Sequence, residues 1–452
     1  MKSDGRLNPI SRFVSVTTRI EPHEMRATLL SFAFVFVLMT AYSILKPVRD
    51  ALGADWGAVG LSFTWTVNFV LSVIAVSVYG AALSTIRFRV VVPGVYGFFA
   101  FTFLLLYLLK ASVSASALAN FVLVVYGVPL GIDHFFYVWV SVFSLFHLSV
   151  FWSFMSDLFD KSQAPRLFGF IAAGTSIGAI VGPLATALLV DVIGTNALML
   201  VSATLLLIPI PMIMILERLR VTDLQNDEVH ADMSKQMAIG RNPFAGFSIL
   251  FTSKFLLTIG AFILLYVTIN TFVYFELQDL TKEYGINTRT KIWSWIDLAT
   301  NGLTLFTAAF ITSRIVTKLG MQTALSLMPG MIMVGVLALV AAPTLLVLAF
   351  FQVLRRVGNY AITRPSREML FTLVDRETRF KAKPVIDIVL YRGGDMLTAW
   401  MFTLLAQGLG LSLAGIAVVI SGIAALWTMV ALQLGRTYER MAAETTLDQE
   451  DT

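Results

Sequence analysis

Twelve long apolar stretches punctuate the chain. They cover 27–45, 59–83, 90–109, 134–156, 167–190, 197–216, 255–275, 292–311, 321–341, 344–363, 385–406 and 410–432. A membrane-crossing helix needs about 20 predominantly apolar residues, and each stretch reaches that length. The pattern therefore predicts twelve lipid-crossing helices. A further apolar piece, Ala117–Leu130, is short for a crossing. It reads as an interfacial or re-entrant segment.

Composition fits only one class. Of the 452 residues, 57% are hydrophobic and 13% charged. Soluble domains carry about 25% charged residues, so a soluble chain this apolar would have nothing to cover its surface. There is no cysteine, which excludes disulfide scaffolds, thiol catalysis, iron–sulfur clusters and zinc–thiolate sites. The net charge of +5 would suggest nucleic acid in a soluble protein. Here it follows topology. With the N-terminus inside, six basic residues fall outside (Lys46, Arg49, Lys110, Lys282, Arg289, Lys291). Three more (Arg355, Arg356, Arg392) lie within crossings, which leaves 24 of the 33 on the inner side. That excess predicts both termini in the cytoplasm of an inner-membrane protein, and no nucleic-acid partner. The 26-residue polar leader precedes an apolar run of full crossing length, so no cleavable signal is expected.

The chain also reads as two halves. Residues 217–246 form the longest hydrophilic stretch between crossings, with six crossings on each side. The expected layout is a leader over 1–26, a first half over 27–216, this central loop, a second half over 247–432 and a frayed polar tail over 433–452. Leu158-Phe-Asp-Lys161 returns 215 residues on as Leu373-Val-Asp-Arg376, and Arg166 then matches Lys381. Pro93-Gly94 and Pro329-Gly330 lie in the third helices, Asn68 and Asn301 in the second. A six-plus-six repeat is the arrangement of major facilitator transporters. It predicts an all-α membrane protein of two pseudo-symmetric six-helix halves with a solute site near the midplane.

Candidate chemistry lies where ions meet lipid, because a charge there faces a cavity or a partner. Lys46-Pro47-Val-Arg49-Asp50 ends the first crossing, where the proline is expected to break the helix. Arg355 and Arg356 fall within the tenth; neighbours on a helix point about 100° apart, so both cannot face one partner. The eleventh holds Asp387, Arg392 and Asp395, and Arg392 and Asp395 are spaced to pair on one face. Gly393-Gly394 between them weakens the helix. Asp387 is expected to pair with Lys381 or Lys383. Asp297, early in the eighth, reads either as a protonatable carboxylate or as a group at the outer mouth. Glu276 closes the seventh as an interfacial anion. The repeated loops carry Asp160, Arg166, Asp375 and Lys381, expected to form gating salt bridges. His147 is mid-crossing and reads first as a structural histidine. Gly174, Gly178 and Gly182 recur every four residues and read as a smooth face for close packing. The chain has no G-x-x-x-x-G-K-[ST] phosphate loop, so it is not expected to be an ATP-driven pump.

Several stretches resemble the bacterial and plastid ATP/ADP translocases. They are Ile44-Leu-Lys-Pro-Val-Arg-Asp50, Phe151-Trp-Ser-Phe154, Trp295-Ile-Asp-Leu-Ala-Thr300, Lys381-Ala-Lys-Pro-Val-Ile-Asp387 and Arg392-Gly-Gly394. The resemblance implies a major facilitator fold and exchange of nucleotides. It maps Arg49 onto a functional lysine of that family. Asp395 stands where the family has a lysine, Val140-Ser141-Val142 where it has an acid, and the seventh-helix acid is shifted to Glu276.

The expected function is secondary transport of a phosphorylated anion. Lys46, Arg49, Arg355, Arg356 and Arg392 would bind it, and Asp50, Asp297, Asp387, Asp395, Asp160, Arg166, Asp375 and Lys381 would couple or gate. The chain is expected to act as a monomer in contact with lipid, without cofactor, metal or enzymatic activity. Two alternatives remain open at this point: a proton-coupled carrier of another solute, and a lipid-handling membrane protein.

Overall fold

The computed structural model describes residues 20–85, 88–112, 123–125, 128–160, 162–224, 245–341, 344–374, 378 and 385–450. They are helical almost throughout. In chain order the helices are α1 (Met25–Leu52), α2 (Gly57–Thr85), α3 (Phe88–Ser112), α4 (Ile132–Leu158), α5 (Ala164–Leu207), α6 (Pro209–Thr222), α7 (Ala245–Thr252), α8 (Lys254–Thr281), α9 (Ile286–Phe310), α10 (Thr312–Ala341), α11 (Leu345–Gly358), α12 (Arg364–Leu370), α13 (Gly394–Thr403) and α14 (Leu413–Glu450). Three π-helical turns join them: Asn359–Thr363, Val385–Gly393 and Leu404–Gly408. A short strand pair, β1 (Leu123–Val125) and β2 (Val128–Leu130), occupies the described part of the 117–130 piece.

Every predicted crossing lies on helical backbone, give or take a few residues at its ends. Among the described residues nine helical runs are long and apolar enough to cross a membrane. One of them, Ala164–Thr222, is 59 residues long and covers two predicted crossings. It breaks at Gly194, where φ is 78°, a backbone conformation open to glycine. Gly320 makes the same break at φ 78° between the eighth and ninth predicted crossings. The stretches 292–311 and 385–406 are helical but not among the nine. They carry Asp297 and Asn301, and Asp387, Arg392 and Asp395, which lower their hydropathy.

Two expectations are corrected. Pro47 does not break α1, which runs on to Leu52. Proline removes only the bond to the carbonyl one turn back, and membrane helices tolerate that loss when neighbours pack against them. The tail does not fray after Arg436, because α14 continues to Glu450. Glu439 holds it by accepting the Gln322 N–H at 3.1 Å.

The chain divides into two compact units. One gathers Met1–Asp50, Leu71–Leu123 and Leu130–Ile239; the other gathers Ala51–Val70, Val124–Pro129 and Gly240–Thr452. In the first, Phe34 is fully buried and meets Phe151 and Tyr96 edge-on at 4.9 and 5.6 Å, an arrangement aromatic rings favour. The expected glycine face lies against α1. A Cβ added at Gly178 would stand 2.6 Å from the Phe36 carbonyl oxygen, and one at Gly174 2.7 Å from that of Phe32. In the second unit Trp427 is fully buried against Phe262 and Tyr266. Ala51–Val70 is tied into this unit: Ser62 bonds Thr403 at 2.8 Å, and the Trp400 indole N–H donates to Thr66 at 2.9 Å.

Candidate functional site

In the first unit the basic group of α1 is engaged by an acid. Tyr42, Lys46 and Arg49 share one face of α1, spaced by four and three residues. Arg49 donates from Nε and Nη2 to Asp50 Oδ1 at 2.9 and 2.6 Å. Its Nη1 reaches Ser141 Oγ at 3.4 Å, and its guanidinium stands 5.3 Å from the centre of the Tyr137 ring. Asp50 is buried, and two opposed charges satisfied by each other tolerate such a place. Lys46 is half-buried nearby in sequence. His147 stacks on Tyr42 at 4.2 Å, and its Nδ1 lies 3.0 Å from the Ser144 carbonyl. A carbonyl only accepts, so Nδ1 carries the hydrogen.

At the opposite end of these helices a second set of ions closes. Arg166 donates to Glu24 Oε1 at 2.8 Å and stands 3.5 Å from Glu21. Arg220 reaches Asp157 at 3.0 Å with both side chains buried. Asp160 accepts from the Ser162 and Gln163 amides at 2.7 and 2.8 Å and from the Ser162 hydroxyl at 2.7 Å. Slight desolvation raises its carboxyl, but these hydrogen bonds and the nearby Arg166 outweigh it and hold the group below its usual range. The matching copy in the second half, Asp375 and Lys381, lies outside the described residues.

The second unit holds the densest set. Arg356 Nη1 is 2.5 Å from Asp297 Oδ1, and the residues are 6% and 1% exposed. Arg355, one position earlier, points elsewhere, as helical geometry requires. Its Nη2 donates to Gln352 Oε1 at 2.7 Å, its Nη1 to the Tyr266 hydroxyl at 3.3 Å, and the whole residue is 1% exposed. Among the described residues no carboxylate bonds it. Arg367 donates to the Tyr391 hydroxyl at 2.5 Å and to Glu368 at 3.0 Å. Arg392 and Asp395 are half-buried, and Asp387 lies on the π-helical stretch before them. The π turn Asn359–Thr363 follows Arg355 and Arg356 directly. Such turns widen the helix by one residue and concentrate at functional sites.

Several participants were not visible in the sequence. Glu24, Arg220 and Arg367 sit near helix ends, where a charge is unremarkable. Tyr266, Tyr391 and Gln352 are uncharged polar residues inside apolar runs. Their only signal is that position. Among the described residues no group of three or more His, Asp or Glu could hold a metal.

Lipid-length helices that keep arginines, carboxylates and hydroxyls in their interior, with helical breaks beside them, define the class: a multi-pass membrane protein that moves solutes. The Major Facilitator Superfamily profile matches residues 134–366. The chain belongs to that superfamily and is a secondary transporter of small solutes. No curated relative matches it. It is similar in structure to a bacterial homologue of the iron transporter ferroportin in an inward-facing state. That match has a TM-score of 0.61 at 13% identity and covers 92% of this chain and 100% of the other. It is also similar to a D-xylose–proton symporter, with a TM-score of 0.58 at 11% identity over 90% and 96%. A nucleoside transporter matches with a TM-score of 0.57 at 11% identity over 93% and 99%. Likeness at such identity speaks for the fold and not for the solute.

Proposed function

We propose that the chain exchanges an organic anion carrying phosphate, such as a nucleotide, by alternating access across the inner membrane. In this reading it works as a monomer with both termini cytoplasmic. The observation that carries the reading is Arg355. It is 1% exposed, and among the described residues it is held by an amide and a phenol. A buried cation without a counter-charge is costly, and a solute anion supplies that charge. The planar guanidinium suits phosphate. The π turn after it provides a place for the helix to yield. Lys46 and Arg392 are the further cations assigned to the solute. Arg49 and Arg356 already have acids, Asp50 and Asp297, so their part is to release or retake those acids as the carrier turns over. The likeness of Ile44–Asp50 to the nucleotide exchangers supports the same reading.

The test is labelled ATP uptake into liposomes loaded with ADP. Exchange is expected, and Arg355→Gln should lower it by about tenfold or more, as loss of a charged hydrogen bond does, with an unfolding temperature equal to or above that of the parent chain. Absence of exchange at any gradient, with folded protein, would remove the nucleotide. The Asp297–Arg356 pair favours one second reading, a proton-coupled carrier in which protonating Asp297 frees Arg356. Uptake that collapses with the proton gradient, and survives it in Asp297→Asn, would select that reading.

A further inference from the structure

The second unit contains a pocket of about 620 Å³ where the turn Gly53–Asp55, the end of α8 and the link 406–412 meet. We propose that it binds an organic ammonium cation, with Glu276 as its counter-ion. The proposal goes beyond the anion reading, since the pocket and the Arg355 site attract opposite charges.

Three carboxylates and one ammonium line the pocket: Asp55, Glu276, Asp279 and Lys282. Two of the carboxylates are already engaged. Asp279 Oδ1 accepts from Lys282 Nζ at 2.7 Å, and Asp55 Oδ1 lies 2.6 Å from Arg289 Nη1. Arg289 is itself fixed by donating from Nε to the Thr281 carbonyl at 3.1 Å. Glu276 differs. It is 6% exposed, it lines the pocket, and among the described residues no hydrogen bond or ion pair reaches its carboxylate. With the two ion pairs cancelled, the Glu276 carboxyl is left as the one acidic group of the hollow with no counter-charge among the described residues. A buried carboxylate in that position calls for a cation or a donor.

The walls say which cation. Phe275 and Phe402 line the pocket with their ring centres 4.9 Å apart and planes tilted by 56°, beside Leu61 and Ile416. Aromatic faces attract ammonium groups, while a metal ion needs several carboxylates converging on one point. No such convergence occurs among the described residues. The volume lies within the range of about 300–1,000 Å³ typical of small-molecule sites. A single charged nitrogen on an apolar body fits charge, wall and volume together.

The test uses the full chain in detergent and three probes of one shape: benzyltrimethylammonium, benzyl alcohol and benzoate. Calorimetry and thermal shift read binding at fixed ionic strength. Only the ammonium should bind and raise the unfolding temperature. Glu276→Gln should weaken it by about tenfold or more. Lys282→Gln, which exposes Asp279 to the ligand, should tighten it about two- to fivefold, the reach of a solvated ion pair. A purely structural Glu276 would not produce that opposite pair of shifts. Equal binding of benzyl alcohol, no binding of the ammonium, or unchanged affinity in Glu276→Gln overturns the proposal. If Glu276→Gln does not fold, unchanged affinity in Lys282→Gln overturns it instead. None of these readings requires transport, so failure here leaves the anion exchange assay untouched, and the reverse.

Discussion

Asp297 and Arg356 lie 59 positions apart in sequence and 2.5 Å apart in space. Removing one partner strands the other, and the cost of that is about 3–5 kcal/mol. Asp297→Asn should therefore lower the unfolding temperature strongly in detergent, while the double variant Asp297→Asn with Arg356→Gln recovers much of the loss. Equal stability of single and double variants would mean that the pair adds nothing to the fold. Both residues were legible as candidates, because an ion inside an apolar run stands out. Their partnership was not. No acid stands near Arg356 in sequence, the nearest on either side being Glu368 and Asp297 itself, and the choice of Asp297 is made by how α9 packs on α11. Arg49 shows the opposite case, since its acid Asp50 is the next residue. Arg355 was legible as a buried cation, but that no acid among the described residues meets it could be learned only from its surroundings.

Helices were easier to read than their interruptions. Long apolar runs located them because lipid leaves the backbone no other partner than itself. Proline misled at Pro47 for the same reason: in lipid a helix with one missing bond still costs less than an open chain. The π turns beside Arg356 and Arg392 left no signal except, at the second, Gly393-Gly394. Close packing of α5 on α1 was readable from glycine spacing and makes a sharp comparison. A Cβ at Gly178 would meet the Phe36 carbonyl oxygen at 2.6 Å, whereas one at Gly169 would meet nothing within 4 Å. Backbone cannot step aside as a side chain can. Gly178→Ala should cost about 1–3 kcal/mol, and Gly169→Ala should gain up to about 1 kcal/mol from helix propensity. Thermal unfolding of the two variants side by side checks it, and equal midpoints would remove the glycine face from the account of the fold.

At the scale of the molecule, the hydropathy pattern and the bias of basic residues together specify a topology that can be tested without disturbing the protein. The chain has no cysteine, so a single introduced thiol is the only one present. Ser162, Thr222 and Asn287 follow the fourth, sixth and seventh predicted crossings, Ser412 stands at the start of the twelfth, one residue before α14, and all four are exposed. If the basic segments face the cytoplasm, a membrane-impermeant maleimide added to intact cells should label Asn287→Cys and Ser412→Cys. Ser162→Cys and Thr222→Cys should react only after the membrane is opened. The strand pair at Leu123–Val125 and Val128–Leu130 gives the test its edge. Were the 117–130 piece a crossing, every later site would change sides and all four labels would invert together. A mixed outcome carries its own meaning. Labelling of Thr222→Cys from outside, with Ser162→Cys protected, would show that Ala164–Thr222 crosses once and that its break at Gly194 is a kink within one crossing.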